Sequence, residues 1–185
     1  MPDILHFASN DELPAHYSQQ IRDFMRIVWW EVCGHNLTAP VCPAEWHPYF
    51  CILAEGAALI SSATVVWKML DHAGQTYKAY GLSGVMTYPA HRKMGYGHRI
   101  VQEATDTIHA SSDADLAMLW TGPRLNDFYA RNGWKHPEGI TITVGDPADP
   151  KPDNGYLMMI VLSDHARAHR PDFAAVPLYF GPHSW

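Results

Sequence analysis

The alternation of apolar and polar positions divides the chain into short strands and amphipathic helices. Ile4 to Phe7 predicts a first strand, which a polar turn over 9–12 follows. From Pro14 to about Val32 apolar residues recur at helical spacing, as expected of a helix with one buried face, and Gly34 ends it. That face comprises Ile21, Phe24, Met25 and Val28.

The middle of the chain predicts a meander of three strands. Apolar runs cover residues 49–55, 57–69 and 75–86, and turn residues separate them at 55–56 and 71–74. Consecutive strands usually pair with one another, so we expect an antiparallel arrangement of these three.

The second half of the chain predicts further alternation of helices and strands. We expect a helix after Gly97, a strand over 116–120, a short helix over 124–132 that Gly133 closes, one or two strands within 134–144, a Pro-rich loop over 145–155, a strand over 156–162, and a Pro-containing tail. This order predicts an α/β (α+β) fold with a mixed central sheet and flanking helices.

Length and composition then limit the possible functions. A chain of 185 residues fits a single domain spanning 1–185, and an aromatic content of 12% excludes a disordered chain. A formal net charge of −6 argues against nucleic acid as a partner, because a nucleic-acid binder needs a basic face. No apolar run approaches the roughly 18 residues that cross a bilayer, so we expect no membrane partner either.

The cysteines indicate a reducing compartment, because their number is odd and no Cys-x-x-Cys pair occurs. The first residues lack the basic and apolar segments of a signal peptide, so we expect a cytoplasmic protein. Cys33, His35, Cys42, His47 and Cys51 are metal-ligand residue types. Their spacing matches no standard zinc pattern, and we expect no metal.

The segment from Val85 to Arg99 has the composition of a phosphate-binding turn. A strand end is followed by Arg92-Lys93-Met94-Gly95-Tyr96-Gly97 and then by a helical pattern. Glycines let successive backbone N–H groups face one ligand, and a helix N-terminus adds unpaired donors and partial positive charge. Ile100 replaces the third glycine of a dinucleotide-binding fingerprint, and no P-loop lysine follows. An ordinary strand–turn–helix connection also fits this turn.

A second motif follows the next predicted strand, with Phe128-Tyr129 and Gly133-Trp134 on a short helix. The two motifs in this order resemble those of the GNAT acetyltransferases. The resemblance implies that the turn binds the pyrophosphate of acetyl-CoA and that the backbone N–H of Val85 stabilises the thioester oxyanion. Tyr129 would protonate or hydrogen-bond the CoA sulfur, since ordinary thiol and phenol pKa values differ by about 2 units, although a packed helix tyrosine also fits. The implied cofactor-binding residues are Val85, Met86, Thr87, Arg92, Lys93, Met94, Gly95, Tyr96, Gly97 and His98.

A closer resemblance, to the aminoglycoside 2′-N-acetyltransferases, covers nearly the whole chain. It rests on the segments 81–87, 128–134 and 152–155 and on the terminal Trp185, whose carboxylate faces the aminosugar in that family. It implies transfer of acetyl to a 2′-amino group and hence antibiotic resistance. Asp153 equally fits a loop cap, Glu31 a solvent-facing residue, and Trp120 a core residue. The candidate substrate-binding residues are Glu31, Ser83, Trp120, Asp153 and Trp185.

Ser83 departs from that family, which carries a glutamate there to deprotonate the amine through water. A serine cannot act as the base near neutral pH, although it can hold a water or a substrate hydroxyl. A His or Asp elsewhere, or bulk water acting on a partly neutral amine, would take the proton. Loss of an acidic contact fits a smaller aminoglycoside with one free amine on its aminosugar, such as kasugamycin.

Three other functions stay open at this point. The chain could acetylate a peptide or polyamine, bind acyl-CoA without turnover, or sense a metal through Cys33, His35, Cys42 and Cys51. We expect direct transfer in a ternary complex, because no nucleophile with an activating base is evident. The aromatic content and the resemblance are both consistent with a homodimer.

Overall fold

Strands and helices alternate along the chain in the predicted order. The computed structural model describes residues 2–29 and 39–185. The strands are β1 (Asp3–Phe7), β2 (Tyr49–Glu55), β3 (Ala58–His72), β4 (Gln75–Thr87), β5 (Leu116–Thr121), β6 (Ile142–Val144), β7 (Lys151–Pro152), β8 (Tyr156–Val161) and β9 (Leu178–Gly181). The helices are α1 (Ala15–Val28), α2 (Tyr96–His109), α3 (Asn126–Ala130), α4 (Asp164–Ala168) and α5 (Arg170–Ala175), with 3-10 turns at Ala44–Trp46, Pro89–His91 and Pro123–Leu125.

Six strands form one mixed sheet in the order β1-β2-β3-β4-β5-β8. β2 pairs antiparallel with β1 and β3, and β5 pairs antiparallel with β8, whereas β4 and β5 are parallel. A smaller sheet has the order β7-β6-β9. The mixed central sheet with flanking helices that the element order predicted is confirmed.

The described chain forms two compact units. Unit 1 comprises Met1–Val66 and Ser83–Asp106, and unit 2 comprises Trp67–Leu82 and Thr107–Trp185. Strands β3 and β4 therefore contribute residues to both units. The expectation of a single domain over residues 1–185 stays a prediction.

In unit 1, helix α1 buries the face that its periodicity predicted, through Tyr17, Ile21 and Phe24. The phenol of Tyr17 donates a 2.5 Å hydrogen bond to the carbonyl of Gly56. The helix ends at Val28, because Trp29 leaves the helical conformation (φ −126°, ψ 47°), so the predicted end near residue 32 was too late. Gly34, the predicted stop, lies outside the described residues.

In unit 2, the tail after residue 162 folds into two short helices and a strand, whereas the sequence predicted no element there. Ser163 caps α4 by accepting a 3.0 Å hydrogen bond from the N–H of Ala166. Phe173 and Phe180 then fill the core of the unit. The loop over 145–155 also contains the short strand β7, paired with β6. Among the helices described in either unit, none has the length and apolar character to cross a membrane.

Candidate active site

Strand β4 is irregular where the sequence placed the thioester-binding residues. Gly84 lies in mid-strand with a φ of 58°, the left-handed conformation found in bulges that glycine permits. Val85 follows directly, so its peptide is turned away from the regular pleat. The ladder between β4 and β5 covers Ala79 to Gly81, whereas β4 continues to Thr87. The residues of β4 after Gly81 are therefore not paired with β5 in that ladder.

The end of β4 is fixed within unit 1 by a serine that the sequence analysis did not single out. Ser61 is fully buried, and its hydroxyl donates a 2.6 Å hydrogen bond to the carbonyl of Met86. The same hydroxyl lies 2.8 Å from Oγ1 of Thr87. A serine pair at 61–62 within an apolar run was the available signal. Ser61 thus holds two predicted cofactor-binding residues in place.

The glycine-rich turn has the geometry of an anion-binding site. Lys93 and Gly95 have φ values of 64° and 84°, so the backbone reverses twice before α2 begins. The carbonyl of Gly95 accepts the 3.0 Å hydrogen bond from the N–H of Arg99, which starts the helix. Helix geometry leaves the N–H groups of Tyr96 and Gly97 without an intrahelical acceptor. Such donors are of the kind that bind a pyrophosphate, and the assignment of this turn to acetyl-CoA stays a prediction.

The three cations near this turn have different surroundings. Nε of Arg92 donates a 3.0 Å hydrogen bond to the carbonyl of Thr87, and its guanidinium lies 5.9 Å from the ring centroid of Phe24. Nη1 of Arg99 donates a 3.0 Å hydrogen bond to the carbonyl of Pro2. Lys93 is exposed. Lys93 is therefore the cation best able to reach a phosphate.

In unit 2, Tyr129 is buried on α3 and bonded to the side chain of Thr121 on β5. Burial raises the pKa of Tyr129 to about 12, and the hydrogen bond with Thr121 opposes part of that rise. The difference from an ordinary thiol, with a pKa of about 8.5, is about 3.5 units, which exceeds the roughly 2 units expected from unperturbed groups. The phenol is therefore a hydrogen-bond donor throughout the neutral range and a weak acid.

Trp120 at the end of β5 lies in an aromatic cluster with Phe180 and Trp185. The ring centroids of Trp120 and Phe180 are 4.6 Å apart, and those of Phe180 and Trp185 are 4.7 Å apart. Trp120 and Trp185 are almost perpendicular, with centroids 6.4 Å apart. The cluster brings together two of the predicted substrate-binding residues.

Trp185 covers β4 and β5 with its indole ring. Its Nε1 donates a 3.3 Å hydrogen bond to the carbonyl of Met118, and the ring lies against Gly81 so closely that a Cβ there would overlap it. The indole therefore packs on the core of unit 2 and is also half-buried at the surface.

Asp153 caps its own turn next to Gly155, which also lies beside Trp120. Its Oδ1 accepts a 2.6 Å hydrogen bond from the N–H of Gly155, as the loop-cap alternative predicted. A Cβ on Gly155 would lie 2.8 Å from that oxygen and 3.4 Å from Nε1 of Trp120. Gly155 thus brings the carboxylate and the indole close together, and the carboxylate keeps a second oxygen for a ligand.

Lys68 of β3 is a neighbour of this cluster that the sequence analysis missed. Its Nζ donates a hydrogen bond to the carbonyl of Phe180 and lies 4.4 Å from the centroid of that ring. Burial lowers the pKa of Lys68. A single lysine within the apolar run of β3 was the signal that could have identified it.

The predicted site residues therefore form two groups. Unit 1 holds the end of β4 with Ser83 and the turn that begins at Arg92, and unit 2 holds Tyr129 and the Trp120 cluster with Asp153. Glu31 lies outside the described residues. Within residues 2–29 and 39–185 no three His, Cys, Asp or Glu side chains are grouped as metal ligands, and Cys33 and His35 fall outside that part.

Comparison with known proteins adds the family. Residues 46–136, just under half of the chain, match the model of the acetyltransferase (GNAT) domain. This segment is similar to a GNAT acetyltransferase domain. It includes both the glycine-rich turn and the Tyr129 motif. No relative was found among curated protein sequences.

Solved structures share the fold of this GNAT domain. The GNAT N-acetyltransferase YhbS from Escherichia coli in complex with CoA has a TM-score of 0.59 at 15% identity, covering 98% of this chain and 89% of its own. An aminoglycoside 6′-N-acetyltransferase complexed with coenzyme A has a TM-score of 0.61 at 15% identity, covering 87% and 97%. Escherichia coli ElaA has a TM-score of 0.55 at 16% identity, covering 86% and 98%. At such low identity these likenesses concern the fold alone.

The GNAT domain and the fold together support an acetyl-CoA-dependent N-acetyltransferase that acts on amines.

Proposed function

We propose that this GNAT enzyme transfers the acetyl group of acetyl-CoA to the 2′-amino group of an aminoglycoside, with kasugamycin as the first candidate, and thereby confers resistance. The observation that carries the proposal is the Trp120 cluster with Asp153 beside it. Aromatic rings accept the apolar face of a sugar and attract cations, and a carboxylate pairs with an ammonium group. This combination suits an amine on a sugar ring.

The residues of unit 1 bind the acetyl donor. Acetyl-CoA supplies the thioester from which the acetyl group is transferred. Lys93 and the N–H groups at the start of α2 hold the pyrophosphate, and the N–H of Val85 donates to the thioester carbonyl. Two features support these roles: the positive φ of Gly84 and the contact between Ser61 and the end of β4.

Tyr129 assists departure of the CoA sulfur, and Ser83 assists binding of the acceptor. Tyr129 donates a hydrogen bond to the departing sulfur, and its raised pKa supports donation without complete loss of the phenol proton. Ser83, which has no basic group, holds a water or a substrate hydroxyl, and the amine proton leaves through water.

The test is release of free CoA from acetyl-CoA with an aminoglycoside panel that includes kasugamycin. We expect release with one compound, and a reduction of tenfold or more in kcat/KM for Asp153→Asn. Asparagine keeps the oxygen that caps the turn but removes the charge. Asp146→Asn is the matched control, because Asp146 caps a turn of the same loop by accepting a 2.8 Å hydrogen bond from the N–H of Ala148.

The two variants distinguish substrate binding from loop structure. Equal losses in both would show that the aspartates act only on the loop. If no panel member releases CoA although acetyl-CoA raises the melting temperature, the aminoglycoside proposal is wrong.

A further inference from the structure

The indole N–H of Trp120 is a buried donor that has no acceptor in the part of the chain that the structure describes. Nε1 has almost no solvent exposure, and no hydrogen-bond partner for it lies among residues 2–29 and 39–185. An unpaired buried donor is rare and costs about 1–3 kcal/mol. The neighbouring Trp185 differs, since its Nε1 donates to the carbonyl of Met118.

The described neighbours of Trp120 are not placed to accept this hydrogen bond. Phe180 and Trp185 pack against the indole with apolar ring atoms. On the other side, Oδ1 of Asp153 is engaged by the N–H of Gly155. Gly155 itself lies along the Cδ1–Nε1 edge of the indole and offers no side chain.

Among these neighbours of Trp120, Gly155 is the one whose displacement costs the least free energy. It is exposed, and it belongs to a loop whose described regular structure is the two-residue strand β7. Phe180, which packs edge-on against the indole of Trp120, is by contrast fully buried. Among residues 2–29 and 39–185, Gly155 is therefore the neighbour that a ligand atom can most readily displace to reach Nε1.

We propose that Trp120 determines acceptor specificity by donating its indole N–H to a hydroxyl or ether oxygen next to the reacting amine, in the place that Gly155 occupies in the free protein. The inference rests on the proposed function and narrows its substrate class. An indole N–H can only donate, as can an ammonium group, and the neutral amine uses its lone pair to attack the thioester, so the reacting amine is not the partner of Trp120. The acceptor is thus an amine with a neighbouring oxygen, as in an amino sugar, rather than a plain alkyl amine or a polyamine.

A matched pair of acceptors tests this step. Trans-2-aminocyclohexanol and cyclohexylamine differ in one hydroxyl group. We expect the wild type to favour the amino alcohol by about tenfold in kcat/KM, the value of one hydrogen bond to a buried donor. In Trp120→Phe, which keeps an aromatic ring but removes the N–H, the ratio falls to about one.

Trp185→Phe is the control, because it removes an indole N–H that already has an acceptor. We expect activity toward both amines to change together in this variant, with their ratio preserved. Equal use of the two amines by the wild type, or an unchanged ratio in Trp120→Phe, would overturn the proposal.

A second readout does not depend on turnover. The sequence has seven tryptophans, so a 1H–15N correlation NMR spectrum shows up to seven indole N–H signals. The signal that is missing in Trp120→Phe belongs to Trp120. With CoA present, we expect the amino alcohol to shift this signal downfield and cyclohexylamine to leave it in place. A signal that responds to neither amine refutes the role of Trp120. If the shift occurs but no amine is acetylated, the proposed function fails and the binding role of Trp120 stands.

Discussion

At the scale of single residues, the sequence motifs located Tyr129 but not its environment. The Phe128-Tyr129 and Gly133-Trp134 pattern is local, so a linear reading finds it. The contact with Thr121 and the burial that raises the pKa to about 12 depend on packing between elements. For the same reason the unpaired N–H of Trp120 was not predictable, because its neighbours lie 35 to 65 positions later in the chain.

Tyr129→Phe is expected to change the alkaline stability of the protein. The unfolded phenol ionises near pH 10 and the folded one near pH 12, so the stability contributed by Tyr129 is complete below pH 10 and is lost as the pH rises toward 12. Urea unfolding at about pH 9.5 and pH 11.5 should show a loss roughly 2 kcal/mol greater in the wild type than in the variant. Parallel losses in both proteins would mean that Tyr129 titrates normally.

At the scale of elements, periodicity predicted most helices and strands because each one buries a single face. Helix α2 begins at Tyr96, inside the glycine-rich turn and earlier than the predicted start after Gly97. Helix α3 ends at Ala130, and Gly133, predicted to close it, follows three residues later with a positive φ of 86°. The prediction failed for the tail after residue 162, because prolines often mark irregular structure. Pro171 instead lies in the first turn of α5, where its missing N–H would be unpaired in any residue.

Strand β4 shows an element whose function lies in its irregularity. A glycine in mid-strand is visible in the sequence, but its left-handed φ is not. Gly84→Ala should destabilise the protein by about 1–2 kcal/mol, since an alanine resists that conformation. We also expect kcat to fall by roughly tenfold, because relaxation toward a regular strand would redirect the N–H of Val85.

Gly122→Ala is the matched control for Gly84→Ala. Gly122 has a φ of −101°, and a Cβ there meets nothing within 4 Å. Thermal unfolding and CoA release measured on both variants separate backbone strain from a general effect of adding a methyl group. If the two variants behave alike, the bulge has no catalytic role.

At the scale of the whole molecule, the sequence predicted the fold class and the enzyme class, because order and spacing of elements are properties of the chain as written. The net charge of −6 would repel a polyanion such as CoA at long range. We therefore expect CoA binding to depend on local donors at the start of α2 and on Lys93. Two of the nearby cations, Arg92 and Arg99, instead donate hydrogen bonds to backbone carbonyls.

Lys93→Gln should therefore weaken CoA binding in a salt-dependent way. Glutamine keeps the length and the backbone preference of the side chain but removes its charge. Calorimetry should give about a fivefold higher Kd for CoA at low salt, with the difference shrinking as salt rises to about 0.5 M. Lys135→Gln, at an exposed position of unit 2, should leave the Kd unchanged. Equal effects of the two variants would assign the salt dependence to net charge alone.

The division of β3 and β4 between the two units has a consequence for how such a protein can evolve. The chain passes from one unit to the other after Val66, after Leu82 and again after Asp106. A single recombination crossover therefore always leaves at least one unit assembled from pieces of two parents. Exchanging one unit whole against the other needs a crossover at each of the three boundaries, so descent by gradual substitution is favoured over domain shuffling.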